Sequence, residues 1–186
     1  MKLIVGLGNP GKKYEGTRHN VGRMAIQLTV KKSGVKLKKD KDARIAKINQ
    51  EGEPVILAVL ESFMNLSGPS LHALVKRIRV ESIADLLVVT DDIHLPLGNL
   101  RFRSAGSAGG HNGLASIIEA LGSDQFARVR IGIGKPEPRD QTWRDYVLEP
   151  FMKEEQAVLG QSLERASECA LAWVHQSAEQ IMQRFN

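Results

Sequence analysis

The chain opens with Lys2-Leu3-Ile4-Val5-Gly6-Leu7-Gly8-Asn9-Pro10-Gly11, an apolar run that passes directly into glycine and proline. Residues 2–7 predict a short buried strand, and the glycines and Pro10 end it because they interrupt a strand ladder. From about residue 20 to residue 32, Val21, Ala25 and Leu28 recur at three- and four-residue spacing, which predicts a helix packed on the sheet. A buried strand followed by such a helix is the opening unit of an α/β fold.

Strand and helix patterns continue to alternate along the rest of the chain. The apolar helix after Ser67 and the short helix 114–121 lie between further strands, and the lysine-rich run 36–41 predicts a solvated loop. The predicted strands are 44–49, 55–60, 86–89, 100–103 and 128–133. Apolar positions from Met152 to Trp173 predict a long amphipathic C-terminal helix. We therefore expect an α/β protein with a single domain over residues 1–186, a twisted mixed β-sheet flanked by helices on both faces, and functional residues at strand ends.

Composition limits the class of protein. The 186 residues suit one core, and no apolar run is long enough to span a bilayer. A single cysteine, Cys169, cannot form an intramolecular disulfide, so we expect a reduced, cytoplasmic setting and no membrane. Basic residues recur near loops and strand ends at Lys12, Lys13, Arg18, Arg101, Arg103, Arg128 and Arg130, and the formal net charge is +5. This charge permits a nucleic-acid partner without proving one.

The glycine spacing Gly6-x-Gly8-x-x-Gly11 matches that of a dinucleotide-binding loop. The context does not match, because Pro10 and the charged run 12–17 delay the next helix to about residue 20. The alternative interpretation is a tight turn that fixes the Asn9 side chain at the rim of a crevice.

His19 lies in the polar segment Thr17-Arg18-His19-Asn20, at a predicted loop-to-helix junction. A neutral imidazole near pH 7 accepts a proton from water, and a neighbouring carboxylate fixes its tautomer; Asp91 and Asp92, at the end of a buried strand, are both candidates. The chain has no Gly-x-Ser-x-Gly elbow, and Cys169 lies in a predicted helix, so activated water is the simplest mechanism. The pattern predicts a hydrolase in which His19 is the general base.

Three amides, Asn9, Asn65 and Asn112, follow strands or glycine turns. An amide both donates and accepts hydrogen bonds, so amides around a crevice can hold a peptide backbone and support a developing oxyanion.

Two other classes of function remain open on these residues alone. Asp91, Asp92, His94 and His111 would make a metal-dependent nuclease, although their spacing matches no ordinary two-histidine helix motif. The basic loops would also suit a non-catalytic RNA-binding module, but stacking aromatic residues are few.

The chain resembles the bacterial peptidyl-tRNA hydrolase family over nearly its whole length. The matching segments, in the expected order, are Val5-Gly6-Leu7-Gly8-Asn9-Pro10-Gly11, residues 14–21, Phe63-Met64-Asn65-Leu66-Ser67-Gly68, residues 106–113, Arg130-Ile131-Gly132-Ile133-Gly134 and Asp145-Tyr146-Val147-Leu148-Glu149-Pro150-Phe151. The resemblance implies a monomeric esterase, without metal or other cofactor, that releases the peptide from peptidyl-tRNA and so recycles the tRNA.

The resemblance also implies roles for particular residues. His19 would be the base, Asp91 its orienting carboxylate and Asn9 a positioner of water and substrate. Substrate contacts would come from Tyr14, Met64, Asn65, His111 and Asn112, and tRNA phosphate contacts from Arg101, Arg103 and Arg130. The family usually has a carboxylate two residues after its acidic pair, where this chain has His94. That departure leaves the choice between Asp91 and Asp92 unsettled, and peptide preference and motion of the C-terminal helix stay open.

Overall fold

A computed structural model of the chain describes residues 1–136 and 142–186. The described residues form seven strands: β1 Lys2–Gly6, β2 Lys38–Asp40, β3 Ala43–Gln50, β4 Glu53–Leu60, β5 Leu86–Asp92, β6 Leu100–Arg103 and β7 Ala127–Gly132. The helices are α1 Val21–Lys32, α2 Ser67–Ile78, α3 Asn112–Leu121, α4 Trp143–Val147, α5 Gln156–Ala172 and α6 Ala178–Phe185. In the part of the chain that is described, no helix is both long enough and apolar enough to cross a membrane.

All seven strands belong to one mixed sheet in the order β2-β3-β4-β1-β5-β7-β6. Strand β1 lies between β4 and β5 and is parallel to both, with Leu3 opposite Ile56 on one side and Leu86 on the other. Strand β7 continues the parallel set beside β5, whereas β2, β3 and β6 are antiparallel to their neighbours. The carboxyl ends of β1, β4, β5 and β7 therefore meet at one edge, where binding residues collect in such sheets.

Helices cover both faces of the sheet, as predicted. Alternation along β1 sends Ile4 into a core shared with α1, α5 and α6, and sends Leu3 and Val5 into a core shared with α2 and α3. Helix α1 begins at Val21 rather than directly after Gly11, so the glycine spacing does not open a dinucleotide-binding helix. The predicted long C-terminal helix is α5, which follows a single 3₁₀ turn, and α6 is a separate element.

One local prediction was wrong. The lysine-rich run contains the short strand β2, in which Lys38 pairs with Ile45 and Asp40 with Ala43. Two exposed lysines in a row hide the strand in the sequence, because an edge strand needs few apolar side chains.

The opposite edge of the sheet is covered by the side chain of Asn186. The Phe102 N–H of β6 donates to Asn186 Oδ1 at 2.6 Å, and Asn186 Nδ2 donates to the Phe102 carbonyl oxygen at 3.4 Å. One amide thus pairs with both backbone groups of an edge residue, as a neighbouring strand would.

Helices α2 and α3 approach each other backbone to backbone. A Cβ atom on Gly68 would overlap the carbonyl oxygen of Ser116, and the Gly68 N–H donates to Ser116 Oγ at 2.9 Å. Only glycine permits this contact near the start of α2.

Candidate active site

A cleft of about 510 Å³ opens at the carboxyl ends of the parallel strands. The β1 loop contributes Asn9, the segment after β4 contributes Met64 and Asn65, β5 contributes Asp91, and β7 contributes Arg130. The other predicted residues that line it are Tyr14, His19, His111 and Asn112. The fold therefore brings together the residues that the sequence singled out, apart from Arg101 and Arg103, which lie outside the cleft on β6.

His19 and Asp91 form the centre of the cleft. His19 Nδ1 lies 2.9 Å from Asp91 Oδ1 and 3.0 Å from Oδ2, and both residues are buried. Because an ionised carboxylate only accepts hydrogen bonds, Nδ1 carries the proton, and Nε2 of the neutral ring keeps its lone pair. The geometry pairs His19 with Asp91 rather than Asp92.

A second imidazole, that of His111, contacts the same carboxylate. His111 Nε2 lies 2.9 Å from Asp91 Oδ1 and 2.7 Å from Thr90 Oγ1. Its Nδ1 accepts the N–H groups of Gly113 and Leu114 at 3.1 and 3.2 Å, so His111 caps α3. With Nδ1 accepting, the ring proton lies on Nε2 and is donated towards Asp91. His111 thus lines the cleft as predicted and also supports Asp91, a contact that the sequence did not indicate.

These contacts change the acidity of both partners. Burial lowers the pKa of His19, but the charge of Asp91 and its hydrogen bond act in the opposite direction, and the net pKa is raised above 6.5. Burial raises the pKa of Asp91, but the two imidazoles outweigh it and hold that pKa well below its usual range. Asp91 is therefore an anion at neutral pH.

Asp92 has different partners. Its Oδ2 lies 2.8 Å from Arg130 Nη2, and its Oδ1 accepts the His94 N–H at 2.8 Å. The His94 ring packs edge-on against Trp143, with ring centroids 5.0 Å apart. His94, the departure from the family pattern, thus leaves the Asp91 contacts in place.

The metal-dependent nuclease alternative required Asp91, Asp92, His94 and His111 to converge on one ion. Instead, Asp92 is paired with Arg130, and the His94 ring packs against Trp143. The ligand atoms of His19, Asp91 and His111 do lie within 4.8 Å of one another. A cation there would have to displace the protons that both imidazoles donate to the carboxylate.

Asn9 is held by two hydrogen-bonded neighbours. Its Oδ1 accepts the Met64 N–H at 2.8 Å, which leaves Nδ2 as the donor for a ligand in the cleft. Asn20 fixes the Asn9 backbone, because its Oδ1 accepts the Asn9 N–H at 2.7 Å and its Nδ2 donates to the Asn9 carbonyl at 2.9 Å. Asn20 was missed from sequence, since its partner is eleven residues away across a turn.

The rim of the cleft combines amides with exposed aromatic rings. Asn65 and Asn112 are exposed, at the starts of the segments that lead into α2 and form α3. Tyr14 meets Phe63 edge to face, with ring centroids 6.1 Å apart, and Phe63 is about half exposed. The sequence did not single out Phe63 or Trp143, because an exposed aromatic ring has no periodic signature.

The arginines separate into two groups. Arg101 and Arg103 are exposed on β6 and pair across the strands with Arg130 and Arg128 of β7. Arg128 is 1% exposed and its guanidinium donates to carbonyl oxygens, including that of Asp124 at 2.7 Å. Arg18 is 2% exposed and bound to Glu155. Neither Arg18 nor Arg128 is available to a nucleic acid, although the sequence had grouped both with the basic loop residues.

The whole chain matches one family. The model described as peptidyl-tRNA hydrolase covers residues 3–186. A peptidyl-tRNA hydrolase of Brevibacillus brevis is 43% identical over 187 aligned residues, covering 100% of this chain and 98% of that protein. One from Caldanaerobacter subterraneus subsp. tengcongensis is 45% identical, with 100% of both covered.

Solved structures agree with this match. The crystal structure of peptidyl-tRNA hydrolase from Acinetobacter baumannii superposes with a TM-score of 0.90 at 32% identity, covering 99% of this chain and 93% of that one. A uridine phosphorylase from Vibrio fischeri has a TM-score of 0.52 at 11% identity, covering 93% and 90%, which is a likeness of fold alone.

Proposed function

Since this chain belongs to the peptidyl-tRNA hydrolase family and hydrolyses the ester between peptide and tRNA, we propose that His19 is the general base of that reaction. The observation that carries the proposal is the contact of His19 Nδ1 with Asp91 at 2.9 Å, because it leaves Nε2 unprotonated at the cleft.

In this mechanism, His19 Nε2 takes a proton from a water molecule as the water oxygen attacks the ester carbonyl carbon. Negative charge moves to the carbonyl oxygen, and the imidazolium that forms is stabilised by Asp91. The carbon–oxygen bond to the ribose then breaks, and the proton passes from His19 to the departing ribose oxygen. Every proton has a donor and an acceptor among these groups, so the scheme needs no metal or cofactor.

The amides select and hold the peptide. Asn9 Nδ2 would donate to the developing oxyanion, since the Met64 N–H already occupies the Asn9 side-chain oxygen. Asn65 and Asn112 on the rim would bind the peptide backbone, and Tyr14 and Met64 would contact its side chains.

Arg130 lines the cleft, and Arg101 and Arg103 extend the positive charge along β6. Like charges that face each other across two strands destabilise a sheet, so a bound polyanion would offset their repulsion. We assign these three arginines to tRNA phosphates, with affinity that falls as salt rises and little readout of base sequence.

We further infer a monomer that acts in the cytoplasm as a single domain over residues 1–186. The single cysteine is consistent with the proposed cytoplasmic location, where thiols stay reduced. Burial raises the pKa of the Cys169 thiol to about 12 and so keeps it unreactive. One sheet flanked by two apolar cores supports the single domain.

The test is hydrolysis of an N-acetylated aminoacyl-tRNA by the unmodified protein, His19→Ala and His72→Ala, each with and without EDTA. His72 lies on α2 away from the cleft and controls for the loss of a histidine. We expect activity in the unmodified protein and His72→Ala, none above background in His19→Ala, and no effect of EDTA. Equal cleavage by His19→Ala would overturn the assignment of the base, and loss of activity in EDTA would overturn the metal-free scheme.

A further inference from the structure

The side chain next to His19 in the chain is almost completely buried. Arg18 is 2% exposed, yet its guanidinium meets one carboxylate, with Nη1 at 3.0 Å from Glu155 Oε1 and Nη2 at 2.7 Å from Glu155 Oε2. The rings of Tyr146 and Phe151 lie 4.4 and 4.9 Å from the guanidinium carbon. The two-point contact and the stacked rings fix both the position and the orientation of Arg18.

Glu155 connects this arginine to the wall of the cleft. Its Oε2 also accepts the Met152 N–H at 2.7 Å, and Glu155 is the last residue before α5 begins. The preceding segment contributes Trp143, Val147 and Leu148 to the cleft lining. One carboxylate thus joins the start of α5, a cleft wall and the His19 turn.

The backbone of the His19 turn is also joined to the segment before α5, next to this ion pair. The Arg18 N–H donates to the Glu149 carbonyl oxygen at 2.9 Å, and Thr17 forms an antiparallel bridge with Pro150. Arg18 and His19 share a single 3₁₀ turn, so a rotation that moves one side chain also moves the other.

We propose that Arg18 and Glu155 are positioning residues, a clamp that holds the His19 turn against the cleft wall so that the imidazole stays on Asp91. The inference rests on the proposed role of His19. A displacement of about 1 Å at a catalytic group can cost on the order of 100-fold in rate, so a clamp next to the base has a direct kinetic effect.

The variants are chosen to distinguish an effect on the position of His19 from an effect on the folding stability of the protein. Arg18→Met and Glu155→Met each leave one buried charge without its partner, which lowers stability. The double variant Arg18→Met/Glu155→Met removes both charges, and methionine packs well against aromatic rings, so much of the stability should return. Glu164→Gln is the matched control, because Glu164 lies on α5, the helix that Glu155 directly precedes, and also pairs with a cation, Lys32, but this pair is exposed.

Three experiments are run on each variant: urea unfolding for the midpoint, steady-state kinetics on N-acetylated aminoacyl-tRNA for kcat and KM, and NMR titration without substrate for the pKa of the His19 ring. Asp91 and His111 are the titratable groups that contact or face this ring. We expect the double variant to regain stability yet keep a kcat at least about 10-fold low with little change in KM, and a His19 pKa shifted down towards 6.5. Glu164→Gln should match the unmodified protein in all three.

If kcat and the His19 pKa recover together with stability in the double variant, Arg18 and Glu155 serve stability only and the proposal is overturned. If instead the unmodified protein leaves the ester intact, the proposed function fails, while the NMR titration still tests the clamp because it needs no turnover.

Discussion

Asp91 is shared between two imidazoles that play unequal parts. His19 reaches it through Nδ1 and keeps a free nitrogen, whereas both nitrogens of His111 are occupied, one by Asp91 and Thr90 and the other by backbone N–H groups of α3. The two rings therefore differ in function although they touch the same carboxylate. Of the two rings, only that of His19 has a nitrogen without a partner in the described part of the chain, as the proposed general base requires.

Asp91→Asn should be far more harmful than Asp92→Asn. An amide at position 91 can donate to His19 Nδ1 and so favour the wrong tautomer, which costs about 10²- to 10⁴-fold in kcat. Asp92→Asn removes the partner of Arg130 and should mainly raise KM. Single-turnover hydrolysis of N-acetylated aminoacyl-tRNA gives both values. Similar losses of kcat in the two variants would contradict the geometry.

The pH–rate profile should rise through the pKa of His19, because only the neutral imidazole is a base. Since that pKa is raised, the midpoint of the rise in kcat/KM should lie above 6.5. In His111→Asn the asparagine oxygen can still cap α3, but Asp91 loses one donor and its charge then acts on His19 alone. The midpoint should therefore move to higher pH.

His111→Ala serves as the comparison for that profile, because it loses the donor and the cap together. It should show the same shift of the midpoint and, in urea unfolding, about 1 kcal/mol less stability than His111→Asn. A midpoint that stays fixed or falls in both variants would argue against a charge shared by the two rings.

At the scale of elements, the contact between α2 and α3 sets the spacing of the rim amides. Asn65 lies in the turn before α2, Asn112 is the first residue of α3, and Gly68 lets the two helices touch near those ends. A wider gap between the helices would move the amides apart.

Gly68→Ala should therefore reduce both stability and substrate binding. A methyl group has to displace the backbone at Ser116, and overpacking of this kind costs about 1–3 kcal/mol. Gly160→Ala, at an exposed and open position inside α5, should stabilise by about 0.5–1 kcal/mol. Urea unfolding and KM measure the two effects. The contact would lose its assigned role if Gly68→Ala left KM unchanged.

Much of the order of strands and helices could be predicted from the sequence, since buried strands and amphipathic helices have strong periodic patterns. Strand β6 was predicted with its observed ends, and α1 begins within one residue of its predicted start. The resemblance pointed to Asp91, but the strand pattern itself did not distinguish Asp91 from Asp92, because β5 is buried on both faces and its composition does not show which face carries α1. In the structure, Asp91 shares the face of Leu87 and Val89, which pack in the core with α1.

The unpredicted contacts are those made by side chains with distant partners. Arg18 meets a carboxylate 137 residues along the chain, and Arg128 is enclosed by carbonyl oxygens of a loop about 20 residues before it. A basic residue in a loop looks solvated in sequence, so burial of these two was hidden. Histidine is also an uncommon helix cap, which is why the double role of His111 was missed.

For the whole molecule, four arginines lie opposite one another in pairs on β6 and β7, at one edge of the sheet. The formal net charge is only +5, but Arg101 and Arg130 face each other across β6 and β7, as do Arg103 and Arg128. Arg128 is enclosed by carbonyl groups. Arg101 and Arg103 are exposed, and Arg130 lines the cleft although it is paired with Asp92, so these three can meet anions.

Removal of these arginines should weaken the salt dependence of substrate binding. For Arg101→Gln, Arg103→Gln and Arg130→Gln, KM should rise, and the slope of log KM against log salt concentration should fall by about 0.7–0.9 for each tRNA phosphate that the variant no longer neutralises. Lys76→Gln, in the last turn of α2 and away from the cleft, should keep the original slope. An unchanged slope in all three arginine variants would place the phosphates elsewhere.

The side chain of Asn186 on β6 has a consequence for the behaviour of the protein in a crowded solution. An open sheet ends in two rows of unpaired peptide groups that can template the growth of a fibre. Here one border is a three-residue strand with two exposed lysines, and the other has the peptide groups of Phe102 already occupied by an amide. Both borders thus discourage copies of the chain from extending one another's sheet, even at high concentration.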